Sequence, residues 1–177
     1  MKKKTALILL LVIALIALTA CGSSGGSSSA NEPKKQEEPA PQPQNPTAKF
    51  DGREYELDEA NKHYDMSFRY SGDWQISGFN ETMNLYHGSE EHPDFVITLI
   101  DYSGQKLADA VAALAGGTET RTKEINGITW TTFDIQAEQK TNSLYLTETG
   151  NDLYVIVFQS DKDTTELQQV FMENAAF

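Results

Sequence analysis

The 177-residue chain is short of cysteine, histidine and basic residues, and each shortage removes a class of chemistry. Cys21 is the single cysteine, so the chain can form neither an internal disulfide nor a cluster of thiolate ligands. His63, His87 and His92 are the only imidazoles, and no glycine-flanked nucleophile elbow occurs. Lys and Arg number 14 against 26 Asp and Glu, a formal net charge of −12. Such a surface lacks the basic footprint that nucleic acid requires, so no nucleic-acid partner is expected. It suits a solvated, soluble protein and leaves room for cations or basic partners. The chain also lacks a glycine-rich phosphate loop of known spacing and any internal repeat. Aromatic residues are missing from the first 49 positions, and all 17 lie from Phe50 onward. That boundary marks where a buried core can begin.

What the N-terminus does have is the one long apolar run. Lys2, Lys3 and Lys4 precede 13 apolar residues, Ala6 to Leu18, and Thr19-Ala20 then leads to Cys21. A positive start, an apolar middle and a small-residue end make the three-part shape of a secretory signal peptide. Thirteen residues at about 1.5 Å each span roughly 20 Å, short of the ~30 Å bilayer core. Leu18-Thr19-Ala20-Cys21 resembles the lipobox of bacterial lipoproteins. The resemblance implies that Leu18, Thr19 and Ala20 are read by signal peptidase II, that residues 1–20 are removed, and that the Cys21 thiol carries a diacylglyceryl group. With the new amino terminus acylated as well, for instance by palmitate, the anchor holds stably where a single chain is marginal. The implied site is the extracytoplasmic face of the cell membrane, with membrane lipid as the partner of Cys21. Loss of the three leader lysines leaves 11 basic against 26 acidic residues, a net charge near −15.

Residues 21–47 read as the lipidated cysteine and a linker. Gly-Ser repeats give way to Pro33, Pro39, Pro41, Pro43 and Pro46, and almost no aliphatic side chain is available to bury. A disordered tether is expected, flexible first and then stiffer, reaching about 5–6 Å × √26, or roughly 30 Å.

Residues 48–177 have the size of one domain. Ala48 to Leu57 is expected as a peripheral strand, and Tyr64, Met66, Phe68 and Tyr70 alternate as a half-buried one. Ser71-Gly72-Asp73 makes a turn, Glu81 to His87 a further strand, and Phe95 to Ile100 is apolar on both faces, as in a central strand. Ser103 is placed to cap a helix with Leu107, Ala110, Val111 and Leu114 on one stripe, which Gly116-Gly117 ends. Asn126-Gly127 and Gly150-Asn151 each sit between apolar strands and predict two hairpins. Trp130 and Phe133 fall out of phase, which predicts a bulge near Thr131-Thr132. Asp163-Thr-Thr-Glu166 has the form of a capping box before a last helix carrying Leu167, Val170 and Phe171. The order of elements predicts an α+β fold, a mainly antiparallel β-sheet with helices packed on it.

Tyr70-Ser-Gly-Asp-Trp74, Ile125-Asn-Gly-Ile-Thr-Trp130, Tyr154-Val-Ile-Val-Phe158 and the terminal helix closing at Phe177 together resemble the PsbP-like family. The likeness runs from Tyr64 to Phe177. It implies a central antiparallel sheet with helices on its faces, and a non-catalytic accessory or assembly role. It supplies no shared catalytic residue.

The richest polar cluster is His87-Gly-Ser-Glu-Glu-His92-Pro-Asp94. Imidazole and carboxylate ligands at His87, His92 and Asp94 are the candidate metal site, suited to a cation that takes N and O donors. Acidic loops between strands are ordinary, however, and a solvated loop accounts for the same residues. Asp161-Lys-Asp163-Thr-Thr-Glu166 echoes the start of a calcium loop but lacks its sharp-turn glycine and distal glutamate, and capping explains it more simply. Trp74, Tyr86, Trp130 and Tyr145 are read as core rather than as the lining of a groove. The expected function is a membrane-anchored, non-catalytic binding or accessory domain without a cofactor, which leaves room for a protein partner at the cell surface. The alternative is a cation-binding or metal-dependent hydrolytic domain using the His87–Asp94 loop.

Overall fold

In the computed structural model, residues 44–177 apart from Phe79 are described. The signal peptide, Leu18, Thr19, Ala20, Cys21 and the linker through Pro43 lie outside the described residues. The strands are β1 (Thr47–Phe50), β2 (Arg53–Glu56), β3 (Glu59–His63), β4 (Met66–Tyr70), β5 (Gln75–Ser77), β6 (Thr82–Gly88) and β7 (Pro93–Asp101). Helix α1 (Leu107–Ala115) precedes β8 (Arg121–Ile125), β9 (Ile128–Ala137), β10 (Lys140–Thr149) and β11 (Asp152–Ser160), and α2 (Thr165–Glu173) closes the chain.

Seven strands form one antiparallel sheet in the order β5-β6-β7-β11-β10-β9-β8, and β1-β2 and β3-β4 are separate hairpins. The fold is α+β, with a mainly antiparallel sheet, as the sequence predicts. The β8–β9 reversal is the two-residue loop Asn126-Gly127, with φ of +54° and +76°. Both residues tolerate that left-handed conformation, which matches the strand twist. The Asn126 amide also donates to the Glu173 carbonyl at 2.9 Å, so the turn caps the end of α2.

Both faces of the sheet are buried, and alternate residues of each central strand serve different cores. On one face Phe95, Ile97, Leu99, Trp130, Tyr154, Ile156 and Phe158 pack with Leu167, Phe171 and Met172 of α2 and with the two hairpins. On the other, Ile100, Phe133, Leu144, Leu146, Val155 and Val157 pack under α1 through Ala110 and Ala115. This resolves the phase change in β9. The pairing of β9 with β8 and β10 runs unbroken through Thr131 and Thr132, so the expected bulge is absent; Trp130 and Phe133 point into opposite cores. The irregularity falls instead at His87/Gly88.

Four further expectations are corrected. The peripheral strand over Ala48 to Leu57 is a hairpin turning at Asp51-Gly52, and Ala48, Phe50, Tyr55 and Leu57 lie deep in the first core. Its alternation is hidden because the inward phase shifts across the turn. Tyr64 leaves the strand pattern: it sits at φ +52° in the β3–β4 turn and is 46% exposed. Ser103 does not cap α1. Its hydroxyl donates to Asp152 Oδ1 at 2.8 Å, and Glu148 of β10 accepts the Leu107 N–H at 2.9 Å and Lys106 Nζ at 2.6 Å. At α2, Asp163 accepts the Thr165 N–H at 2.9 Å, without the reciprocal glutamate bond of a capping box.

The Leu107 N–H and the Lys106 ammonium hold the Glu148 carboxyl below its ordinary value. Its ionised form therefore stabilises the fold above the ordinary glutamate value of 4.5, and that contribution is lost as pH falls through the lowered value. Glu148→Ala is expected to lower the urea midpoint at pH 7, with the deficit shrinking as the pH is taken well below 4.5.

Candidate functional site

Three polar constellations stand out against these cores. The first lies at the turn end of the β6–β7 hairpin. Gly88 holds φ +97°, and a Cβ there would come within 3.0 Å of the Asp94 nitrogen, so only glycine allows the close reversal. The reversal sets His87 Nδ1 2.7 Å from Asp94 Oδ2. His87 stacks on Phe95 at 6.0 Å and meets the edge of Tyr55 at 5.3 Å, while Trp74 packs edge-on against Phe95 at 5.0 Å. The Tyr55 hydroxyl and Trp74 Nε1 are buried without a hydrogen-bond partner. The Arg53 guanidinium comes near enough to Tyr55 to be held above its ordinary value, although hydrogen-bond geometry is not met.

Of the three candidate metal ligands, the structure brings His87 and Asp94 together. His92 is exposed, and its backbone N–H turns inward to the Ser89 carbonyl and hydroxyl. Among the described residues no three His, Cys, Asp or Glu side chains converge to hold a metal ion. The pair has the geometry of an oriented imidazole, with Asp94 fixing one ring nitrogen.

The second constellation is a groove of about 770 Å³ between α2 and the β8–β10 end of the sheet. Arg121 and Lys123 of β8, Thr132 and Asp134 of β9, and Ser143 and Tyr145 of β10 share the face that forms its floor. The segment from Asp161 to Thr165, followed by Gln168 of α2, forms the wall. Lys123 Nζ stands 5.3 Å over the Tyr145 ring and 3.3 Å from its hydroxyl, which donates to Gln168 Oε1 at 3.0 Å. Arg121 pairs with Asp134 at 3.2 Å. Trp74, Tyr86, Trp130 and Tyr145 are all buried, in keeping with their reading as core, and Tyr145 alone of the four reaches the groove.

The third constellation surrounds Asp101, at the end of β7 and 3% exposed. Burial pushes its carboxyl above the ordinary carboxylate range and the nearby Asp152 adds to this, while the Ser103 hydroxyl and His63 pull the other way. His63 Nε2 lies 3.2 Å from the Glu81 carbonyl, which can only accept, so the proton sits on that nitrogen.

Sequence reasoning named His87 and Asp94 but missed Arg53, Tyr55, Asp101, Lys123 and Gln168. Arg53 and Tyr55 hid in a segment read as a single weak strand. Asp101 had a usable signal, a carboxylate continuing the apolar run Phe95 to Ile100. Lys123 and Gln168 lie 45 positions apart and meet only through Tyr145.

No family model matches the chain, and no curated protein matches it. Among solved structures it is similar to a protein from Bacteroides thetaiotaomicron VPI-5482, at 18% identity and a TM-score of 0.46, covering 63% of this chain and 44% of that one. The chain thus spans less than half the length of the Bacteroides protein. It is also similar to the cyanobacterial PsbP (CyanoP) from Synechocystis sp. PCC 6803, at 10% identity and a TM-score of 0.49, covering 67% of this chain and 91% of that one. At these values neither likeness bears on the site or its chemistry.

Because Asp101 is raised in the fold, its ionisation works against folding as pH climbs through that raised value, and the penalty is absent below 3.8. Asp101→Asn is expected to raise the urea midpoint at pH 7, and the gain should vanish near pH 3.8. Tyr55→Phe removes a buried hydroxyl that makes no bond. Calorimetry is expected to show this variant unchanged or more stable, by up to about 1 kcal/mol.

Proposed function

We propose that the chain is a membrane-anchored extracytoplasmic lipoprotein whose folded domain binds a partner at the cell surface without turning it over. The observation that carries the binding half is the groove between α2 and β8–β10. Its cations are engaged with neighbouring acceptors, Arg121 with Asp134 and Lys123 with the Tyr145 hydroxyl. That arrangement presents a fixed pattern of charge and hydroxyl groups on strands, which favours recognition over proton transfer. The anchoring half rests on Leu18-Thr19-Ala20-Cys21 after its apolar run, and the proline-bearing linker supplies the reach.

The test is mass spectrometry of the mature N-terminus together with cross-linking in intact native membranes. The expected result is an acylated Cys21 and cross-links that map to the groove, with Cys21→Ser released from the membrane. Unmodified Cys21 on a retained leader would refute the anchor, and cross-links confined to other surfaces would refute the groove.

A further inference from the structure

Asn126-Gly127 is the one Asn-Gly step in the chain, and both of its residues are exposed at the β8–β9 reversal. An asparagine before glycine is the pair most open to attack by the main chain on the side-chain amide, because the glycine nitrogen carries no crowding side chain beside it. The turn treats the two reacting groups differently. Ile125 and Ile128 are the pair that closes the two-residue loop, so the Gly127 N–H stands outside the ladder. The Asn126 carboxamide is held. Its Nδ2 lies 2.9 Å from the Glu173 carbonyl, 3.2 Å from that of Ala175 and 3.4 Å from that of Met172. Two amide hydrogens thus serve three carbonyl oxygens where α2 ends.

Those carbonyls belong to the end of α2 and the segment that follows it. Residues 174–177 are otherwise held by the main-chain bridge of Ala176 with Ser67, by the buried Ala175, and by Phe177. The Phe177 ring meets Trp130 at 4.9 Å and Tyr154 at 5.5 Å. The Ala175 N–H reaches the Met172 carbonyl at 3.4 Å, a long bond that leaves the Asn126 amide as the shorter tie to that stretch. One side chain therefore joins an exposed turn to the docking of the C-terminal segment.

We propose that Asn126 is a deamidation site which the end of α2 restrains while docked, and whose conversion then releases the C-terminal segment. In the reaction the Gly127 nitrogen gives up its proton and bonds to Asn126 Cγ. The Cγ–Nδ2 bond breaks, and Nδ2 takes up a proton and leaves as ammonia. Water then opens the cyclic imide at either carbonyl, giving aspartate or isoaspartate. The first step needs the side chain to turn toward the Gly127 nitrogen, and three hydrogen bonds hold it against turning. The product cannot remake them, because an ionised carboxylate has no hydrogen to donate. It is also an anion at the negative end of a helix. Isoaspartate further routes the main chain through Cβ, adding an atom to a reversal built for two residues.

The test follows conversion at Asn126 by peptide mass spectrometry, in the full chain and in the free peptide Glu-Ile-Asn-Gly-Ile-Thr, both kept in warm, mildly alkaline buffer. Conversion is expected to be at least about tenfold slower in the chain, since one net hydrogen bond accounts for a factor of that order. Phe177→Ala loosens the segment without altering the Asn-Gly sequence and should speed conversion severalfold through local opening. Ala110→Gly weakens α1 in the opposite core and should leave the rate unchanged. Release is read by hydrogen exchange at the Ala176 N–H, which donates to the Ser67 carbonyl at 2.8 Å. In the converted chain and in Asn126→Asp that exchange should be at least about tenfold faster. Equal rates in chain and peptide would overturn the proposal whether or not Phe177→Ala folds. Equal acceleration by Phe177→Ala and Ala110→Gly would assign control to global unfolding and overturn the role of α2. Unchanged exchange at Ala176 after conversion would overturn the release.

Discussion

Burial of β11 on both faces is the constraint from which the rest of the domain follows. Tyr154, Ile156 and Phe158 point one way, Leu153, Val155 and Val157 the other, and each is 8% exposed or less. Full burial of one such side chain is worth roughly 1.5–3 kcal/mol, so neither face can be left to water. The chain answers with two unlike covers. Helix α1 closes one face with small residues, Ala110 and Ala115, which permit close approach. The other takes α2, the β1–β2 and β3–β4 hairpins, and the C-terminal Phe177, which packs against Trp130 at 4.9 Å.

Helix placement then depends on long-range polar contacts more than on local caps. Glu148, on a strand, terminates α1 at its N-terminus, and Asn126, in a turn, terminates α2 at its C-terminus. The main-chain bridge between Ser67 and Ala176, at 2.7 and 2.8 Å, ties the β3–β4 hairpin to the end of the chain. The Asn126 contact joins the β8–β9 turn to the end of α2, and the groove lies between that helix and the β8–β10 end of the sheet. A groove remains because one helix of nine residues cannot cover a sheet of seven strands.

The acidic balance shapes the surface in the same way. Among the described residues, several cations are drawn to a carboxylate or a carbonyl: Lys106 to Glu148, Arg121 to Asp134, Lys162 to Asp51, and Arg69 to the Leu57 carbonyl. Lys123 is held by an aromatic ring and a phenol instead.

The sequence by itself determined the elements whose signals are local. Asn126-Gly127 and Gly150-Asn151 fixed two hairpins because positive φ is a property of single residues. The strand Phe95 to Ile100 and the stripe on α1 were legible because burial period is read along the chain. Tertiary structure alone decided what depended on partners far apart in sequence. Trp130 and Phe133 looked like a bulge until two cores existed to receive them. Ser103 looked like a cap until Glu148 arrived from β10. Tyr55, His87, Trp74 and Phe95 become neighbours only when two hairpins fold onto the sheet. The physical reason is that local conformation is set by steric and main-chain preferences of neighbouring residues, whereas charge pairing, burial and a groove are properties of surfaces assembled from distant ones.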